Sequence, residues 1–127
     1  MRNDLLEEQL THSIIGAFYE VYNALGFGFL EQLYVSALER ELLARGHRAS
    51  RELSVNVMYK GALLGSQRLD LVVDDRVVIE AKSSELLPPF APRQLYNYLH
   101  ATNLEVGLLL HFGPKARFIR VVCSNEK

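Results

Sequence analysis

One cysteine, Cys123, is all that the chain of 127 residues contains. An internal disulfide is therefore excluded, and neither a zinc knuckle nor an iron–sulfur cluster has its ligands. A reducing compartment is the expected setting. The first residues, Met1 to Glu8, are acidic and lack the basic-then-apolar layout of a signal peptide. The longest apolar run, Val106 to Leu110, is far too short to span a bilayer, so a cytoplasmic protein with no membrane partner is expected. An excess of one charge is also missing. Lys and Arg number 14 against 15 Asp and Glu, and a net charge of -1 with a pI near 6.4 does not advertise a nucleic-acid binder. There is no G-x-S-x-G, and Cys123 has no evident base, so nucleophilic catalysis has no support. Repeats and low-complexity tracts are absent.

What is present is an ordinary globular composition, 49% hydrophobic and 23% charged, in a length that suits one domain over residues 1–127. From Asp4 to Leu25, the residues Leu6, Leu10, Ile14, Phe18, Val21, Tyr22 and Leu25 step by three or four, which predicts a helix capped by Asp4 and stopped by Gly26. A second helical pattern runs from Phe29 or Leu30 to Arg45 and ends at Gly46. The period then changes to that of strands at about 49–59, 63–73 and 77–82, with turns at Lys60-Gly61 and Asp74-Asp75-Arg76. Three of the four prolines fall between Leu87 and Pro92, which makes that segment a loop before a helix of about Pro92 to Thr102. Strands at about 105–111 and 117–122 close the chain. The order α-α-β-β-β-α-β-β reads as an α/β or α+β fold, a mixed sheet with helices packed on it, built from a meander and one helical crossover.

Charges inside apolar strands mark the candidate site. Glu80 and Lys82 share one face of their strand, while Ile79 and Ala81 take the other. Asp70 joins them only if Val73 faces Val77 across a three-residue loop, which sets Asp70 opposite Glu80; a two-residue loop puts the carboxylates on opposite faces. Two carboxylates at a cross-strand distance of roughly 5 Å repel unless a cation lies between them. Hard oxygen donors without clustered His or Cys favour Mg²⁺ or Mn²⁺, with the Ala81 carbonyl as a further ligand. Lys82 can then orient an attacking water. The other reading of the same three residues is a salt-bridge cluster on a solvated face. Glu31 lies near the centre of the apolar stripe formed by Tyr34, Val35, Leu38 and Leu42, where an ionised carboxylate needs a partner or a route out past Phe29. Gln94 and Tyr98, four apart on the last helix, share a face and offer groups able to hold a phosphate or a metal-bound water. His12, His47, His100 and His111 show no ligand spacing and read as solvated or core histidines, with His100 turned away from the Gln94 and Tyr98 face.

Asp70, nine residues, then Glu80-Ala81-Lys82 resembles the PD-(D/E)xK nuclease superfamily, with Leu69 in place of its proline. Gly28-Phe29-Leu30-Glu31-Gln32-Leu33-Tyr34 is similar to the signature of the small prokaryotic GxxExxY family, and Gln94 to Tyr98 to the Q-x-x-x-Y helix motif of the RecB-like branch. The resemblance covers about residues 10–122 and implies a restriction-endonuclease-like core. It also implies Asp70 and Glu80 as metal ligands, Lys82 as catalytic lysine and Glu31 as the helix carboxylate that completes or supports the site. The implied function is metal-dependent phosphodiester hydrolysis of nucleic acid, DNA before RNA. Apart from the resemblance, a small sheet domain with a single functional edge suits a homodimer when its substrate is two-stranded. The alternative is a catalytically silent nucleic-acid- or protein-binding module with the same fold. The near-zero charge is a sum of unlike parts. Residues 1–41 carry 2 basic against 7 acidic side chains and the remainder 12 against 8, so a basic surface around Arg45, Arg48, Arg51, Arg68, Arg93, Lys115 and Arg117 can still meet a phosphate backbone.

Overall fold

The computed structural model describes residues 6–51 and 53–124; the proposed cap Asp4 lies outside them. Among the described residues, three helices flank a mixed sheet. Helix α1 (Glu8–Leu25) buries Leu10, Ile14, Phe18 and Val21 of the expected stripe with Ala17 beside them, leaves Leu25 exposed, and ends where the Gly26 N–H donates to the Tyr22 carbonyl at 2.7 Å. Helix α2 (Glu31–Ala44) buries Tyr34, Val35, Leu38 and Leu42 against the same layer.

Five strands make the main sheet: β1 (Ala49–Ser50), β4 (Leu71–Val73), β5 (Val77–Lys82), β6 (Val106–Phe112) and β7 (Ala116–Val122), in the spatial order β1-β4-β5-β6-β7. Among the described strands only the β5–β6 pair is parallel, and the return between those two strands carries helix α3 (Ala91–His100), as a parallel crossover requires. Strand side chains alternate, so each face of the sheet builds its own core. Leu71, Val73, Val77, Ile79, Ala81, Leu108 and Leu110 pack under α1 and α2. Val72, Val78 and Leu109 pack under Leu95 and Leu99 of α3. Strand β6 is buried along its whole length, and β5 up to Lys82, which explains their continuous apolar sequence.

The strand boundaries differ from the sequence expectation in one instructive way. The single strands foreseen at 49–59 and 63–73 are each divided. Their inner parts, β2 (Ser54–Tyr59) and β3 (Ala62–Arg68), form a separate hairpin around Lys60-Gly61, while β1 pairs directly with β4. The expected meander therefore becomes a short edge strand plus a projecting hairpin. Of Leu53, Val55 and Val57, only Val55 is buried. Alternating apolar residues specify a strand, but not which sheet receives it. The α+β class, with helices on both faces of a mixed sheet, stands. Among the described residues, no helix is long and apolar enough to cross a membrane.

Candidate metal and phosphoryl site

The β4–β5 hairpin decides the site. Asp74 and Asp75 both take positive φ, 53° and 57°, and the Arg76 N–H closes on the Val73 carbonyl at 2.9 Å, so Val73 faces Val77 and Leu71 faces Ile79. This is the three-residue register, and it carries Asp70, just before β4, to a position opposite Glu80. Two hydrogen bonds then fix Asp70 against Glu80 and Ala81 of β5. The Asp70 N–H donates to Glu80 Oε2 at 3.0 Å, and Asp70 Oδ2 accepts the Ala81 N–H at 2.8 Å. Lys82 follows on the same face as Glu80, beside His111 of β6.

Electrostatics gathers four of the expected side chains into one neighbourhood. Burial pushes the Glu80 carboxyl up to about 7; the charge of Asp70 adds to the rise, the Asp70 N–H and Lys82 oppose it, and Glu31 adds again. Asp70 is also raised by burial, against the Ala81 N–H, Lys82 and Arg51. Glu31, the first residue of α2, is raised by burial, opposed by Lys82, raised by Asp70 and opposed by a hydrogen bond from the Ser83 backbone. The charge of Asp70 therefore disfavours ionisation of both Glu31 and Glu80, while a single lysine, Lys82, opposes the rise at all three carboxyls.

Tyr98 of α3 reaches this neighbourhood: burial raises its phenol, and the charges of Glu80 and Asp70 raise it further. Gln94, one turn earlier, is exposed and lines a groove with Val57, Asn97 and Tyr98; no hydrogen bond joins its side chain to the carboxylates among the described residues. His100 borders the groove, but its ring stacks with that of Tyr96, centroids 6.5 Å apart, away from the Gln94 and Tyr98 face as the helical angle leads one to expect. His111 is buried, with Nε2 2.8 Å from the Ser84 carbonyl, and His47 bonds Asp74 and Ser13.

The donor set suits a hard divalent cation: carboxylate oxygens, mutually repelling, with buried Glu80 poised to lose its proton near neutral pH. As the side chains stand, no group of three His, Cys, Asp or Glu residues is arranged to hold a metal among the described residues, and the carboxylates of Asp70 and Glu80 are engaged with backbone N–H groups. The Ala81 N–H is one of those partners.

The expected basic surface divides. Arg45 is paired with Glu41 and Arg48 with Asp75, while Arg93 lies over the Tyr96 ring. Arg51 and Arg68 instead line a cleft with Asp70. Sequence reasoning includes both in the basic surface without singling them out. Arg68 stands two residues before Asp70, which is the available signal; Arg51 arrives only through the long-range pairing of β1 with β4.

A family model described as PD-(D/E)XK nuclease superfamily matches residues 8–121. No curated protein matches the sequence. Among solved structures, one described as the crystal structure of SSO0001 is similar with a TM-score of 0.57 at 21% identity, covering 91% of this chain. The likeness is one of fold, and the present chain spans 58% of the length of that protein.

Proposed function

For a chain that belongs to the PD-(D/E)XK nuclease superfamily, we propose metal-dependent hydrolysis of phosphodiester bonds in nucleic acid, DNA before RNA, by a site of the GxxExxY type. The observation that carries this reading is the placement of Asp70 opposite Glu80, with Lys82 two residues on and Glu31 brought in from α2. Asp70 and Glu80 would hold Mg²⁺ or Mn²⁺, supported by Glu31 and the Ala81 carbonyl. Bound there, the cation supplies charge neutralisation at the scissile phosphate and a lowered pKa for water. Lys82 orients the water whose oxygen forms the new bond to phosphorus as the bond to the leaving oxygen breaks. Tyr98, and Gln94 beside it on the groove, offer hydrogen-bonding groups to the phosphate. A homodimer would place two such sites on a two-stranded substrate. The proposed setting is cytoplasmic.

The test is cleavage of single-stranded, double-stranded and branched DNA and of RNA with Mg²⁺ or Mn²⁺. Asp70→Asn and Lys82→Ala should each abolish turnover while leaving the circular dichroism unchanged. Activity undiminished in both variants would sink the assignment.

A second reading, a silent nucleic-acid- or protein-binding module, is favoured by one observation: both central carboxylates are engaged with the backbone and no three acids are arranged as ligands among the described residues. Isothermal titration with Mn²⁺ separates the readings, since a catalytic site binds the ion and loses it in Glu80→Ala.

A further inference from the structure

Beside Asp70, on the side away from Lys82's strand, lies a cleft of about 250 Å³ lined by Gln32 and Val35 of α2, Arg51, Arg68 and Leu69. Its two arginines differ from the other basic residues in how they are held. Arg51 is braced against α2: one nitrogen, Nη2, donates to Gln32 Oε1 at 2.8 Å, and Nη1 lies 3.3 Å from Ser36 Oγ and 3.4 Å from Glu39 Oε1. A guanidinium has five N–H donors, so this bracing orients the fork and leaves donors over. The bond also occupies the oxygen of the Gln32 amide and leaves its NH₂ group to donate. Arg68, at the end of β3, is exposed and has no acidic partner among the described residues. The Arg51 charge is felt at Asp70, where it opposes the rise of the carboxyl pKa. Cleft and carboxylate therefore share one field.

Fixed guanidinium donors, an exposed guanidinium and an amide lining a small open cleft are the recognition elements for a tetrahedral oxyanion. We propose that the Arg51–Arg68 cleft is a phosphate subsite that grips a phosphate of the nucleic-acid strand next to the bond held at Asp70 and Glu80. The proposal rests on the nuclease reading for the identity of the strand, but not for the existence of the anion site. An internal backbone phosphate and a terminal monophosphate share this chemistry. If the subsite takes a terminal phosphate, it measures cleavage from an end; if it takes an internal one, it sets the register of the strand.

The experiment is fluorescence anisotropy with a short fluorescein-labelled single strand, in EDTA to prevent cleavage, over a series of salt concentrations. Competitors are unlabelled strands ending in 5′-phosphate, 3′-phosphate or hydroxyl, and a circular single strand. Arg68→Gln should weaken binding about tenfold and lower the slope of log affinity against log salt by about 0.7. Arg51→Gln should do the same, and Arg51→Lys should recover the slope more than the affinity, since charge returns without the fork. Arg76→Gln, at a residue paired with Glu7 and outside the basic surface, is the control and should change neither. A preference for phosphorylated ends that vanishes in Arg68→Gln assigns a terminal phosphate, whereas an equal loss on the circular strand assigns an internal one. The subsite is overturned if the wild type does not bind at low salt, if Arg68→Gln leaves affinity and slope unchanged, or if Arg76→Gln matches it. Arg68 is exposed, so its variant tests the idea even if an Arg51 variant fails to fold. Cleavage assays on the same proteins keep the two readings apart. A wild type that never cleaves, with an Arg68→Gln defect in binding, removes the nuclease and retains the subsite; a wild type that cleaves, with no such defect, does the reverse.

Discussion

The Tyr34 hydroxyl donates to the Gly26 carbonyl at 2.5 Å and accepts the Phe29 N–H at 3.2 Å. Its ring meanwhile stacks on Phe112, with centroids 4.0 Å apart. One buried side chain thus joins the core of the sheet to the turn that precedes α2. That turn depends on Gly28, whose φ of 115° a residue with a Cβ rarely adopts. Glu31 leaves the turn as the first residue of the helix, and the Ser83 hydroxyl bonds the Phe29 carbonyl at 2.5 Å, tying the same turn to the end of the strand that carries Lys82. The spacing of Gly28, Glu31 and Tyr34 therefore works as one device: a bend, a carboxylate delivered to the site, and an anchor one helical turn later.

Tyr34→Phe keeps the ring and removes both hydrogen bonds. The loss should be about 1–2 kcal/mol, because water can reach the freed groups of the half-exposed turn. Urea denaturation measures it. Cleavage should also fall, and the fall should not add to that of Glu31→Gln, since both act through one carboxylate. Strict additivity would show that Tyr34 serves only the core.

Asp74 offers a prediction remote from the site. Burial raises its carboxyl pKa, but the Arg48 N–H at 2.8 Å and the His47 ring at 2.8 Å more than offset this and hold it below 3.8. A depressed carboxyl stabilises the fold above its unfolded pKa and loses that contribution as pH falls through the folded value. Asp74→Asn, which tolerates the positive φ, should cost about 1 kcal/mol at pH 7 and nothing once Asp74 is protonated. Thermal melts of both proteins from neutral to strongly acidic pH test this, and a difference that persists at the acid end would refute it.

Much of this arrangement was legible in the sequence because it depends on local rules. The helical stripes, the Lys60-Gly61 turn and the central strands follow from period and turn chemistry; the parity that sets Asp70 opposite Glu80 was open between a two- and a three-residue loop, and the positive φ of Asp74 and Asp75 decides it. The projecting hairpin was not legible. Val57 and Leu63 alternate like core residues yet are exposed, and nothing local says that the chain leaves the main sheet after Ser50. The same detour creates the Arg51–Arg68 cleft, since it brings the ends of β1 and β3 together at Asp70. Site residues delivered by a single strand or helix turn could be read; those delivered by chain routing could not.

Glu80 makes the metal-free protein sensitive to pH in the opposite sense to Asp74. Its carboxyl rises from 4.5 to about 7 through burial and the charge of Asp70. A raised group contributes stability fully below its unfolded pKa and loses it as pH rises through the folded value. At 1.36 kcal/mol per unit the decline between pH 4.5 and about 7 approaches roughly 3 kcal/mol. Glu80→Gln should flatten that decline and be the more stable protein at pH 8 in EDTA. If wild type and variant melt in parallel across this range, Glu80 is not ionising in a buried site.

Divalent metal should reverse that decline. Ligand carboxylates must lose their protons before they bind, so affinity should strengthen as pH rises through about 7, where Glu80 ionises. An ion that binds only the folded chain raises its stability by RT ln(1 + [L]/Kd), about 2.7 kcal/mol at a hundredfold excess over Kd. Mn²⁺ or Mg²⁺ should therefore raise the melting temperature more at pH 8 than at pH 6, and EDTA should abolish the gain. Relief of repulsion alone would not distinguish a shared ion from screening by the bulk salt. Asp70→Asn makes that distinction, because it lowers the repulsion at Glu80 but removes a ligand: the variant should be more stable than wild type without metal and gain little from it. If Asp70→Asn gains as much from Mn²⁺ as the wild type does, the two carboxylates do not share an ion, and the site is a charge cluster rather than a metal centre.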